Sequence, residues 1–209
     1  MGYAITLVNI SQISRERDVF MQWPPLKRSI LAAIFVVAAC ISWSRPSTAD
    51  PVIFDTFGPE ASYDINYRYG VDGSSVFQAF HFIPTESAAL VGITVALGRT
   101  SSLTTRTEFK LYEGTTTTLG SLLETFIVTN TVPAGISPGM AVTFRSFRHP
   151  ILRTGRHYWL SYSEPNPADG SSSLWFFNDQ SISGTRLTSV LPAAGAWMPA
   201  FRVLGLKRR

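Results

Sequence analysis

Side chains able to do nucleophilic, acid–base or metal chemistry are few and scattered here. Three histidines (His81, His149, His157) and one cysteine (Cys40) stand in 209 residues. Ser-His-Asp catalysis needs a serine held against an imidazole that a carboxylate orients. The clustered serines fall in turn-rich stretches, "GSS" from Gly73 and "GSSS" from Gly170, and the one G-x-S-x-G spelling, "GISPG" over Gly135–Gly139, lies in the turn-marked stretch "VPAGISPG". His81 and His157 alternate away from the main apolar residues, and His149 precedes Pro150, so all three read as surface or structurally satisfied imidazoles. Zinc would need His-x-His, His-x-x-x-His or paired cysteines, none of which is present. In "YDINYRYGVDG", Asp64, Asn66 and Asp72 offer oxygens to calcium, but without the ligand order of an EF-hand. They read as solvated loop residues. Two carboxylates flanking a glycosidic bond could be drawn from Asp55, Glu108, Glu113 or Glu124, and nothing singles out a pair. The expectation is a non-enzyme with no catalytic residue, no metal site and no cofactor.

The aromatic residues are the better candidates. Phe, Trp and Tyr make up 12% of the chain, enough to build a core and leave rings for a surface. Trp175 and Phe177 share a strand face by period two, Asn178 adjoins them, and Trp197 comes from the last turn. Facing solvent, they would form a stacking platform for sugar rings, with the amide fixing a hydroxyl. Facing inward, each large ring would bury roughly 150–250 Å² of surface, the commoner fate of a strand aromatic. Tyr158 and Trp159 point to opposite faces, and Trp159 is expected to be the outward ring. Trp159, Trp175, Phe177, Asn178 and Trp197 are therefore the candidate ligand contacts. Gln78, between Val76 and Phe80 on its own face, is expected to hydrogen-bond a neighbouring backbone, because an unpaired buried amide costs about 1–3 kcal/mol. Arg202 reads as a solvated strand residue.

The elements that must carry these residues are strands. Downstream of Asp50 no window sustains a 3.6-residue apolar period, whereas short runs alternate with period two between Gly, Pro, Ser and Asn clusters. In "LVGITVALG", Val91, Ile93, Val95 and Leu97 fall on one face; in "RHYWLSY", Tyr158, Leu160 and Tyr162 do. Further strands are expected at Val52–Phe57, Ser75–Ile83, Thr105–Tyr112, Leu122–Thr129, Ala141–Phe147, Leu174–Phe177 and Ala200–Leu204. "GVDGSS", "VPAGISPG" and "EPNPADGSSS" mark turns, and Thr115–Thr118 reads as a polar hairpin loop. Eight to ten strands over residues 50–206 imply one antiparallel β-sandwich of jelly-roll type. No internal repeat is present.

Charge and the N-terminal region bear on location. The formal charge is +4, but residues 1–49 carry Arg15, Arg17, Lys27, Arg28 and Arg45 against Glu16 and Asp18, and Lys207-Arg208-Arg209 form a basic tail. The body between is near neutral, with no basic stripe for nucleic acid. From Met21 the sequence runs through Lys27-Arg28, an apolar stretch to about Trp43, and "STA" before Asp50, the three-part plan of a signal peptide over residues 21–49. Its apolar run is shorter than the ~20 residues a spanning helix needs. Residues 1–20 read as a disordered start-site extension.

The order "FDTFGP", "VFQAFHFIP", "LVGITVALG", "FKLYEG", "LGSLLETFIV", "LRTGRHYWLSY", "LWFFND" and "GAWMPAFRVLG" resembles bacterial choice-of-anchor domains of PEP-CTERM exported proteins, from Val52 to about Gly205. That resemblance implies an exported, non-catalytic surface module. The Pro-Glu-Pro motif and apolar helix of that pattern do not follow Gly205 in this sequence; only "LKRR" does. "VAAC", Val37–Cys40, resembles a lipoprotein lipobox, which would leave a lipidated Cys40. Cleavage before Asp50 would instead discard it. The expected function is thus an exported cell-envelope or extracellular sandwich, with carbohydrate binding through exposed aromatics as the alternative and a secreted hydrolase behind both. Polysaccharide or envelope components are the expected partners, and contact with a membrane runs only through the signal or a lipid anchor.

Overall fold

Period-two alternation broken by Gly, Pro and Asn yields thirteen strands among the described residues, arranged in two antiparallel sheets. The computed structural model describes residues 50–71, 77–100, 106–129, 135–164, 173–188 and 192–207, all within the unit Thr48–Arg209. The signal-like segment with Cys40, and Asp72, lie outside the described residues. No described helix is long and apolar enough to cross a membrane.

The first sheet holds β1 (Val52–Asp55), β2 (Asp64–Val71), β4 (Ala88–Arg99), β7 (Gly135–Arg145), β8 (Ile151–Leu152), β10 (Ser173–Phe177) and β13 (Phe201–Leu206). Its spine is β4. Strand β7 runs along one side of it from Gly92 to Arg99. On the other side β13 pairs with Ala89–Val95 and β10 with Leu97–Arg99. Beyond these lie β1, on β13, and β2, on β10. After Trp175 strand β10 leaves β4, and Met198–Ala200 fill the gap: Asn178 N donates to Met198 O (3.0 Å) and Ala200 N to Phe176 O (2.8 Å). The second sheet runs β12 (Pro192–Trp197), β11 (Ser183–Thr188), β3 (Gln78–Phe82), β9 (His157–Ser163), β5 (Arg106–Gly114) and β6 (Leu119–Thr129).

The core lies between the sheets. Ile93, Val95 and Leu97 of β4 face Phe80, Phe82, Phe109, Leu111, Tyr158, Leu160 and Tyr162 of the second sheet, all of them buried. At its centre the Trp175 indole meets the rings of Phe80, Phe109, Tyr162 and Phe201, with centroids 5.2–5.7 Å away and interplanar angles of 62–83°. Such edge-to-face pairs add about 0.5–1.5 kcal/mol each beyond area burial. The indole N–H, which would be costly to strand in this setting, donates to Ala200 O at 3.0 Å. A smaller cluster of Phe57, Ala96, Phe176 and Ala200 covers the opposite face of the first sheet, packed under Ala61 and Tyr63.

Several expectations need correction. The strands among the described residues number thirteen rather than eight to ten, because β2, β8, β11 and β12 lie where loops were expected. Val91 is not on the face of Ile93: the register shifts so that Leu204 pairs Gly92 while Gly205 pairs Leu90. This bulge puts Leu90 in the core and leaves Val91 half-buried. "DINYRYGV" is strand β2 and not an oxygen-rich loop. Asp64 Oδ1 accepts its own neighbour's amide, Asn66 N, at 2.8 Å. The four threonines form the expected hairpin turn, with Thr115 N donating to Thr118 O (3.0 Å) and the two hydroxyls 2.7 Å apart.

Candidate ligand-binding site

The outer strands of the two sheets, β2 and β12, border an open cleft of about 260 Å³ lined by Tyr67, Phe177 and Trp197. Each ring comes from a different strand. Tyr67 lies on β2 in the alternation Ile65, Tyr67, Tyr69; Phe177 ends β10, and Trp197 ends β12. The three are nearly parallel: Phe177 lies 6.4 Å from Tyr67 at 21° and 6.2 Å from Trp197 at 20°. Tyr67 is 63% exposed and Trp197 50% exposed, with Phe177 half-buried between them.

Tyr69 holds this arrangement from behind. Its ring packs on Phe177 (4.4 Å) and Phe80 (5.0 Å), and its hydroxyl donates to the Trp197 carbonyl at 3.0 Å. The Arg186 guanidinium lies over the Tyr69 ring, 5.0 Å from its centroid. Burial raises the Tyr69 phenol above its ordinary pKa, while the charge of Arg186 and a hydrogen bond from it pull the other way. The Nε of Arg186 is itself buried and without a hydrogen-bond partner.

The residues singled out in the sequence separate sharply. Phe177 and Trp197 belong to the cleft. Trp175 is fully buried at the core centre, so the shared face with Phe177 is the inner face of the sheet, and only its end is open. Asn178 is also fully buried. Its Nδ2 donates to Ile182 O (2.9 Å) and Met198 O (2.5 Å), and its Oδ1 accepts from Gln180 N and Ile182 N, so no donor or acceptor is left over for a ligand hydroxyl. Trp159 does point away from the core, but it is 0% exposed. The β5–β6 turn closes over it: the indole N–H donates to Thr115 O at 2.8 Å and the His81 ring stands edge-on at 5.2 Å. Gly114 makes this cover fit, because a Cβ there would meet the Thr118 carbonyl and the Trp159 ring. Alternation fixes the face of a strand residue and not whether a loop covers that face. Tyr67, Tyr69 and Arg186 were missed, although the period-two rings of "INYRY" were a usable signal.

Several other polar groups have partners within the fold. His81 Nε2 and His157 Nδ1 are 2.8 Å apart with stacked rings, and burial followed by the neighbouring His157 lowers the His81 pKa below the ordinary imidazole value. Glu124 is buried, accepting from Ser146 Oγ (2.6 Å), Phe147 N (2.7 Å) and Arg148 N (3.2 Å). Asp55 binds Arg202, which is thereby paired rather than simply solvated, through Arg202 Nε at 2.8 Å. Glu108 pairs with Lys110 at 2.9 Å, and Lys207 of the basic tail pairs with Glu86 at 2.5 Å. Gln78 Nε2 donates to Gly70 O at 3.2 Å, in line with its structural reading. No group of three or more His, Cys, Asp or Glu able to hold a metal occurs among the described residues.

The sequence matches no protein-family model and no curated protein. Fold and site therefore define the class alone: an all-β, two-sheet sandwich with an aromatic cleft between the outer strands of its sheets.

Proposed function

We propose that the protein is an exported, non-catalytic β-sandwich of the cell envelope or extracellular space that holds a polysaccharide on the Tyr67–Phe177–Trp197 cleft. The observation that carries this reading is the row of three near-parallel rings, the outer two at least half exposed. A pyranose has apolar C–H faces and a polar rim, so a flat ring can bury the face and leave the hydroxyls in water. The cleft lies just below the ~300 Å³ at which small-molecule pockets begin. It suits a few units of a chain passing across it rather than an enclosed ligand. Each ring contact contributes on the order of 1 kcal/mol. Three together correspond to a dissociation constant in the millimolar range, which makes oligomers and polymers the useful probes.

Export, by signal cleavage with either release or lipidation at Cys40, belongs to this proposal. So do the jelly-roll strand order and the kinship with choice-of-anchor domains. Of the four carboxylates considered for hydrolysis, Asp55, Glu108 and Glu124 each hold a structural partner, which leaves Glu113 without a second carboxylate of that set to work with. A polysaccharide array probed with wild type, Tyr67→Ala and Trp197→Ala tests the reading. Retention of a polymer by wild type and its loss in both variants is expected; retention unchanged in the variants, or none at all, overturns it.

A further inference from the structure

Arg186 stands beside the cleft, over Tyr69. Arg106, Lys110, Arg145, Arg202 and Lys207 each face a carboxylate within 4 Å. Arg186 is half-buried, yet it takes part in no ion pair among the described residues, and its Nε–H is buried with no acceptor. A partly desolvated cation with a stranded donor is unfavourable unless something neutralises it. What holds the guanidinium is Tyr69, under it at 5.0 Å. The same tyrosine touches Phe177 and binds the Trp197 carbonyl, so Arg186 stands one side chain removed from two of the three cleft rings. A planar guanidinium is suited to a carboxylate, which it can grip through two parallel N–H donors.

Building on the polysaccharide reading above, we infer that the cleft selects acidic glycans, with a uronate carboxylate meeting Arg186 while neighbouring sugar faces stack on Phe177 and Trp197.

The test is affinity electrophoresis of the full chain against polygalacturonate, alginate and hyaluronate, with cellulose and fully methyl-esterified polygalacturonate as neutral counterparts. Esterification keeps the backbone and removes the charge. Retention of at least one uronate polymer is expected, with at least about tenfold weaker retention in Arg186→Gln and partial recovery in Arg186→Lys. Retention should also weaken as salt rises. Thermal midpoints establish that the variants fold; if Arg186→Gln does not, the comparison of free-acid and esterified polymer on wild type decides alone. Equal retention of charged and neutral polymers, or no effect of Arg186→Gln, overturns the acidic preference and leaves the polysaccharide reading standing. Retention of none of the five polymers overturns both.

Discussion

Trp175 and Trp197 are 22 positions apart in one sequence and have opposite energetic duties. Trp175, enclosed by four rings and bonded through its N–H, is expected to cost about 3–5 kcal/mol on replacement by alanine. Trp197, half exposed, should cost less than about 1 kcal/mol. Urea unfolding of Trp175→Ala and Trp197→Ala measures both. The His81–His157 pair gives stability a pH dependence of definite sign. Because the folded-state pKa of His81 is lowered, the unfolded chain binds the proton more readily, so this contribution is complete above pH ~6.5 and is lost as pH falls through the folded value. The denaturation midpoint should therefore fall between pH 7.5 and 5 by more in wild type than in His81→Gln; equal falls would detach the effect from this imidazole.

At the scale of elements, a single buried carboxylate organises the β7–β8 connection. Glu124 receives one hydroxyl and two amide donors from Ser146–Arg148, and Ser146 in turn accepts from His149 N at 2.9 Å. Glu124→Ala strands these donors and should destabilise by about 2–3 kcal/mol in urea unfolding, with the amides of Phe147 and Arg148 losing hydrogen-exchange protection. The inner strands β4 and β9 were legible because both faces or one whole face are apolar, as in "LVGITVALG" and "YWLSY". Strands β2, β11 and β12 were not. Asp64, Asn66 and Gly70 in β2, and Pro192 and Gly195 in β12, carry the composition of turns, which edge strands tolerate because one side of the ladder is unpaired, while Gly184 in β11, an inner strand between β12 and β3, marks a register shift against β12. Those three strands supply Tyr67, Tyr69, Arg186 and Trp197. The cleft was consequently the least readable part of the chain, even though two of its three rings, Phe177 and Trp197, were marked for their side chains.

For the whole molecule, a core filled by aromatic rings leaves its margin lined with rings as well. Inner-face alternation continues to the ends of β2, β10 and β12, but past Trp175 and Tyr69 the opposing sheet no longer covers what alternation places there. Tyr67, Phe177 and Trp197 are thus an extension of the core face into solvent, positioned by the same registers that align the sheets. That origin makes the cleft rigid before any ligand arrives, so binding should leave the fold unchanged and raise the thermal midpoint only by mass action. Intrinsic tryptophan fluorescence tests this account most directly, since among the described tryptophans Trp159 and Trp175 are buried and Trp197 alone is exposed. Titration with the polysaccharide retained most strongly should shift the emission to shorter wavelength and saturate in wild type, and the shift should vanish in Trp197→Ala. A shift that persists in Trp197→Ala, or binding with no shift in wild type, would place the ligand elsewhere and contradict the cleft as the site.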